Sequence, residues 1–223
     1  KVVLADTIAN YSTPVFEAAE NGVILTIFES WIGSLSYTFQ IYFDFSGYCD
    51  MAVGCARIFG IILPINFYSP YKSKSIVEFW RRWHITLSSF LRDYLYIPLG
   101  GSLKSAVRRN INLMVTMLVG SLWHGAGWTF IVWGGLHGFY LIINHVFLHL
   151  KKNIYGKSYT SSSSSKFFGL IFTFFLVVVA WVIFRSETLY GAFNIYKGMF
   201  GVNGISLPKT LCTLTENIPL INH

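Results

Sequence analysis

Apolar residues arrive in long blocks, and the Lys and Arg residues gather in the short stretches between them. A helix needs about 20 apolar residues to cross a hydrocarbon core about 30 Å thick. Residues 23–43 meet that length, with Glu29 and Gln40 as interruptions that must face protein or water rather than lipid. Residues 51–63 form a second apolar piece, ended by Pro64, and residues 167–184 form a clean apolar run of spanning length. Residues 111–123 are short for a span, and Gly125-Ala126-Gly127 separates them from the apolar run 128–150. Residues 1–21 predict an interfacial helix and a loop, broken at Pro14, and residues 189–201 a weakly amphipathic piece followed by a loop.

One segment has a different pattern. Ser75 followed by Glu78 is a capping-box spacing, and Pro98 with Gly100-Gly101 is a stop, which together predict a helix over 76–97. At 100° per residue, Phe79, Trp80, Trp83, Leu87, Phe90, Leu91 and Tyr94 share one face. Arg81, Arg82, Ser89, Arg92 and Asp93 share the other, and His84 sits at the edge of the apolar face. Such a helix lies along an interface or re-enters the bilayer under cover of other helices. The basic stretches 72–109 and 151–166 predict cytoplasmic loops, the second flexible, with residues 167–184 leading outward.

Composition settles the class. Of the 223 residues 53% are hydrophobic and only 12% charged, where a soluble domain carries roughly 25% charged residues. The expectation is an all-α, polytopic transmembrane protein. The net charge of +7 lies in short loops between apolar blocks, which suits the positive-inside rule and argues against nucleic-acid binding. Cys49, Cys55 and Cys212 make neither a disulfide framework nor a zinc spacing. Opening at Lys1 and stopping at His223, residues 1–223 are expected to be one membrane-embedded domain, incomplete at both ends, with no internal repeat.

The candidate chemistry is histidine. His124 and His137 lie in the greasy stretch 113–144, each beside glycines that allow close approach of a backbone or ligand. An ionisable ring there marks function by default, although a ring that merely hydrogen-bonds a neighbour gives the same sequence. No GxSxG, HExxH or P-loop is present. Three rings, His84, His124 and His137, could converge on a metal, but no carboxylate motif accompanies them and no metal is expected. A neutral imidazole can instead take the proton from a hydroxyl as it attacks an activated acyl group. Asp44 and Asp50 read as helix caps or as a partner for Arg57, with a metal pair or a proton relay as the alternative. Trp80, Trp83 and Trp123 read as packing or sugar platforms, Arg81, Arg82 and Arg92 as interface residues or phosphate clamps, and His145 and His149 as interfacial.

Three blocks carry a resemblance: YFDFSGYCDMAVG (42–54), FWRRWHITLSSFLRDYLYIPLGG (79–101) and LWHGAGWTFIVWGGLHG (122–138), with WVIFRSETLYGAF (181–193) following. In this order they resemble the membrane-bound O-acyltransferase family. The resemblance implies a ring of helices in the membrane, with re-entrant or interfacial pieces and tunnels to a central histidine. That histidine matches His137, which would act as general base, and a second recurrent polar position matches His84. His124, Trp83, Arg81 and Arg82 become candidate substrate-binding residues. The run Ile97-Pro98-Leu99-Gly100-Gly101 looks like the branch that O-acetylates extracellular, alginate-like polysaccharide, more than the branch that moves D-alanine onto a cell-wall polymer. The resemblance further implies no tightly bound cofactor, acetyl-CoA or an acyl-carrier thioester as co-substrate, and a multi-pass location in a bacterial inner membrane. Its implied partners are membrane lipid, a polysaccharide acceptor and an extracytoplasmic acetyltransferase or esterase-like protein. A non-catalytic export or channel subunit is the rival from another class, distinguished by its lack of acyl-donor turnover.

Overall fold

A computed structural model describes residues 1–103, 105–155 and 162–205. Lys104, residues 156–161 at the centre of the expected polar loop, and residues 206–223 with Cys212 and the expected terminal loop lie outside the described residues. Among the described residues the regular elements are all helical: α1 (Val2–Glu20), α2 (Ile27–Ile58), a 3-10 turn (Pro70–Lys72), α3 (Ile76–Trp80), α4 (Ile85–Leu91), a π-helical turn (Arg92–Tyr96), α5 (Ala106–Leu122), α6 (Trp128–Tyr155), α7 (Ser163–Arg185) and α8 (Leu189–Met199). Two of these helices are both long and apolar enough to cross a membrane, Trp128–Ile154 and Ser163–Arg185. The chain divides into two compact units, one of Lys1–Asp44 with the chain from Trp181 onward, the other of Phe45–Ala180.

In the first unit α1 packs on α8, where Asn194 Nδ2 donates to the Ala19 carbonyl at 3.0 Å, and Phe16, Ala19, Ala192, Ile195 and Met199 are buried. The expected break at Pro14 does not occur. Pro14 and Asn10 both lie on the exposed face of a continuous α1, so the carbonyl that the proline leaves unpaired is not buried. The expected span 23–43 is likewise part of something longer. Helix α2 starts at Ile27 and runs for 32 residues, about 48 Å at 1.5 Å per residue. It passes through Gly47, with Asp44 and Asp50 in mid-helix rather than at caps. Ser46 and Gly47 are buried there, and packing outweighs the local preference of glycine and serine to end a helix. The polar interruptions are satisfied locally. Glu29 accepts from the Thr26 N–H at 2.9 Å and its own N–H donates to Thr26 Oγ1 at 3.3 Å, a reciprocal cap at the start of α2. Ser12 Oγ donates to Gln40 Oε1 at 2.5 Å.

In the second unit α5 and α6 form the most extensive helix pair, joined by the glycine break the sequence predicts. Ser105 caps α5, its Oγ accepting from the Arg108 N–H at 3.3 Å. Gly134 and Gly138, four residues apart on α6, meet α5 where a side chain would not fit: a Cβ at 134 would lie 2.7 Å from the Met117 carbonyl oxygen, and one at 138 would lie 2.7 Å from Met114 Sδ. Helices α6 and α7 extend further into the expected 151–166 loop than its polarity suggests, to Tyr155 and from Ser163.

The single helix expected over 76–97 is three pieces. Its start is as predicted: Ser75 Oγ accepts from the Glu78 N–H at 3.2 Å, while the Glu78 carboxylate returns to the Lys74 N–H at 2.8 Å. After Trp80 the helix stops, and His84 takes a left-handed backbone conformation, φ +42°, before α4 begins. The loop at 66–68 takes up the backbone freed by the break, with Tyr68 N–H donating to the Arg82 carbonyl and Ile85 N–H to the Asn66 carbonyl, both at 3.0 Å. A helical wheel carries one phase across 76–97, so it could not register this turn.

The α5–α6 approach gives a stability prediction. Gly134→Ala should destabilise the protein by about 1–3 kcal/mol, because a Cβ there meets the Ser121 side chain and the Met117 carbonyl oxygen, and the carbonyl is backbone that cannot swing away. Gly135→Ala, whose Cβ would meet only Leu118 Cδ2 at 3.9 Å, should be tolerated. Thermal unfolding in detergent checks the pair, and equal melting temperatures for both variants would contradict the close approach.

Candidate functional site

His137 is fully enclosed, with no exposed surface. Helix α6 places Trp133, His137 and Tyr140 on one face, at spacings of four and three. Helix α3 supplies Phe79 and Trp80 from across the unit. The resulting box has Trp133 at 5.0 Å, Trp80 at 5.1 Å and Tyr140 at 5.7 Å edge-on to the imidazole, and Phe79 nearly parallel to it at 6.3 Å. Trp80 Nε1–H donates to His137 Nδ1 at 3.3 Å. An indole N–H can only donate, so Nδ1 is the accepting nitrogen and the neutral ring carries its proton on Nε2. That Nε2 is buried and has no hydrogen-bond partner among the described residues. An unmet donor in such a place costs about 1–3 kcal/mol, so its position asks for a ligand atom.

His84 is arranged in the opposite sense. Its Nδ1 lies 3.3 Å from Asn66 Oδ1, which also receives the Thr86 N–H at 3.1 Å and Thr86 Oγ1 at 2.7 Å. The Thr86 backbone N–H can only donate, which identifies the Asn66 atom as the oxygen and makes His84 Nδ1 the protonated nitrogen. The left-handed conformation at a residue with a Cβ costs about 1–3 kcal/mol and holds the ring in this place. His84 meets Phe45 at 4.8 Å and Trp123 at 6.4 Å, both edge-on. Burial pushes its pKa down to about 4, with a smaller contribution from His124, and burial lowers His124 as well. His124 touches Trp123 at 5.3 Å and Trp133 at 5.5 Å. The three histidines therefore belong to one aromatic cluster in the second unit, His84 joined through Trp123 to His124 and through Trp133 to His137. Among the described residues no group of three His, Cys, Asp or Glu side chains is placed to hold a metal ion.

The remaining candidates sit around this cluster. Trp83 is 4% exposed, enclosed by Phe67, Phe79 and Tyr71 at 4.9–6.0 Å. Its faces are occupied by other rings, so it builds the wall behind the site and offers no platform to a sugar. Arg82 pairs with Glu78 at 2.7 Å and lies 5.3 Å over the Tyr68 ring, whereas Arg81 is exposed. Arg92 is exposed and paired with Asp93 at 2.7 Å. His149 is exposed on the last turns of α6, near Asn153. Neither Cys49 nor Cys55 is in a disulfide. Asn66 escapes a reading of the sequence, and Trp80 is read there as packing or a sugar platform but not as the partner of His137. Trp80 shares a block with His84, which hints at the site, but a wheel assigns it only to a packed face. Asn66 stands in a turn-rich loop 18 residues from the ring it holds, and nothing in its surroundings signals that role.

These features define an all-helical membrane protein built around enclosed histidines. The chain belongs to the membrane-bound O-acyltransferase (MBOAT) family, whose model matches residues 2–152. It is 47% identical over 207 residues to a peptidoglycan O-acetyltransferase of Helicobacter pylori, covering 93% of this chain and 38% of the relative. It is 47% identical over 212 residues to a probable alginate O-acetylase of Pseudomonas fluorescens, covering 94% and 40%. It is 35% identical over 164 residues to a teichoic acid D-alanyltransferase of Streptococcus thermophilus, covering 67% and 40%. The chain thus spans about two fifths of the length of the curated relatives it matches.

The low pKa of His84 has a measurable consequence. Between about pH 6.5 and about pH 4 the unfolded chain takes up a proton at this ring that the folded chain refuses. Folded stability should therefore fall as pH drops through that window, and the contribution should be complete above it. Nitrogen chemical shifts of His84 should titrate with a midpoint near 4, and a midpoint above about 6 would contradict the burial described.

Proposed function

We propose that the protein is an O-acyltransferase that moves an acetyl group from a cytoplasmic thioester toward an extracytoplasmic polysaccharide. The observation that carries this reading is His137, fully buried in an aromatic box with its Nε2 unpartnered, in a chain that belongs to this family. His137 is the general base for the acceptor hydroxyl. Base duty needs a bare Nε2, so the Trp80 N–H must leave Nδ1 and the ring's proton must shift there first. The acyl oxygen can meet the Nε2–H before that shift, as a neutral imidazole polarises a carbonyl. His84 is the second site ring. In this reading His124 and Arg81, which is exposed, meet substrate, and Trp83 and Arg82 support the wall.

Acetyl is preferred to D-alanyl because the O-acetylating relatives are the more similar, at 47% against 35% identity. The D-alanyl relative keeps acyl transfer to a cell-wall polymer as the second reading. The donor is acetyl-CoA or an acyl-carrier thioester with no tightly bound cofactor, and the acetyl group either goes directly to the polymer or passes through an extracytoplasmic partner enzyme. The basic segments 72–109 and 151–166 face the cytoplasm of a bacterial cell, in a multi-pass inner-membrane arrangement.

His137→Ala in the full-length protein should lower acetylation about 10²–10⁴-fold, the usual worth of a general base. His137→Gln keeps size and hydrogen bonding without basicity and should be nearly as inactive. The measurement is polysaccharide acetylation in cells, normalised to the amount of protein in the membrane. Wild-type acetylation by His137→Gln would make the ring structural and remove it from the chemistry.

A further inference from the structure

The first unit, which holds none of the three candidate histidines, contains a cleft of about 210 Å³ lined by Phe16, Glu17, Glu20, Asn21, Arg185 and Glu187. Arg185 is the last residue of α7, a helix long and apolar enough to cross a membrane. Its guanidinium therefore lies where hydrocarbon gives way to head groups. The Phe16 and Tyr37 rings hold it from the protein side, with the guanidinium carbon 5.5 and 5.9 Å from their centres. Three carboxylates line the same cleft, yet among the described residues no ion pair joins any of them to Arg185. Glu20 is already committed. Its carboxylate accepts from the Glu187 N–H at 2.9 Å, the Thr188 N–H at 3.1 Å and Thr188 Oγ1 at 2.5 Å, which fixes the start of α8. Glu17 and Glu187 are exposed, and their carboxylates carry no such duty. The edge of the cleft is apolar. Val23 and Ile24, just beyond Asn21, and Leu189 and Tyr190, just beyond Thr188, are all exposed. Tyr190 brings the two segments together, since its hydroxyl would lie 3.0 Å from a Cβ added at Gly22.

A guanidinium offers paired N–H donors that match a phosphate, and a carboxylate accepts the N–H donors of an ammonium. A cleft that holds both, without pairing them to each other, suits a ligand that carries both. Glu17 and Glu187 outnumber the one guanidinium, so a head group that is only anionic meets net repulsion. A trimethylated ammonium has no N–H to donate to them. The exposed apolar edge, at the end of a spanning-length helix, completes the description of an amphipathic ligand. We propose that this cleft binds a phospholipid whose head group carries a primary ammonium, with its phosphate on Arg185 and its ammonium on Glu17 and Glu187.

The test uses the full-length protein in nanodiscs that hold equal amounts of phosphatidylethanolamine, phosphatidylcholine and phosphatidylglycerol. Native mass spectrometry reads which lipid stays on the protein. Phosphatidylethanolamine should be retained about two- to fivefold over each of the others, the worth of one exposed ion pair. Glu17→Gln combined with Glu187→Gln removes the ammonium partners and leaves the guanidinium, so the preference should pass to phosphatidylglycerol. Both replaced residues are exposed, and an unchanged melting temperature in detergent checks that the fold is kept. Arg185→Gln should lose retention of phosphatidylethanolamine, and in the doubly substituted protein it should also abolish the new preference for phosphatidylglycerol. Equal retention of the three lipids by the unsubstituted protein would overturn the proposal. So would a preference for phosphatidylglycerol before any substitution, which would make Arg185 a plain anion contact. A preference for phosphatidylethanolamine that survives the loss of both carboxylates would overturn it as well. His137→Gln should retain the same lipid as the parent, so the outcome does not depend on the chemistry assigned to that ring.

Discussion

An imidazole deep inside an apolar helix must have its polar atoms met, and the hydrogen bond from Trp80 to His137 is how this protein begins to meet that demand. It requires α3 to lie against α6 with an indole edge at the right height, which in turn requires α3 to be short and the chain to turn immediately after it. On its other side α6 lies close against α5, and the glycines at 134 and 138 allow that. The residues bracketing the histidine thus serve packing on one face while the histidine face is given to aromatic rings. One nitrogen is satisfied by the protein and the other is left for chemistry.

The same tension between burial and polarity recurs wherever the chain carries a polar group among apolar ones. Ser34 and Thr38 return their hydroxyls to carbonyls of their own helix, Gln40 takes the Ser12 hydroxyl, and Glu29 closes a cap. These groups are closed off and inert. His137 Nε2 is the contrast, because it is as buried as Ser34 yet has nothing among the described residues to bond. Ser30 Oγ and Ser46 Oγ are also buried without a partner among the described residues, so neither burial nor an open position marks a site by itself; His137 is set apart by an open nitrogen on an ionisable ring enclosed by four aromatic side chains.

Much of this is legible in the residues. Low charge and block hydropathy specify an all-helical membrane protein, glycines 125 and 127 mark the break between α5 and α6, and Ser75 with Glu78 marks the start of α3. Periodicity fails where tertiary contacts override local preference. Pro14 is carried through α1 and Gly47 through α2 because exposure of the first and burial of the second remove the reason to stop. The wheel over 76–97 places Trp83 correctly as covered, but treats Trp80 and His84 as members of one regular face. Which nitrogen of each histidine carries the proton depends on Asn66 and Trp80, distant in sequence from the rings they govern, and no pattern of spacing contains that fact.

At His84 backbone strain and tautomer are coupled. A continuous helix from 76 to 97 would satisfy its own backbone and leave Asn66 without the Ile85 N–H and Thr86 as partners. The left-handed residue is unfavourable by itself, so the gain must come from the bonds that the break makes possible. Those bonds are two backbone pairs to residues 66–68 and three donors on one side-chain oxygen. Four of those five bonds would secure the loop whatever residue stood at 84. The fifth, to a histidine ring, adds nothing that the loop needs and fixes a tautomer instead. A strained turn whose last bond orients an ionisable ring is better explained by what that ring must present than by the stability of the turn.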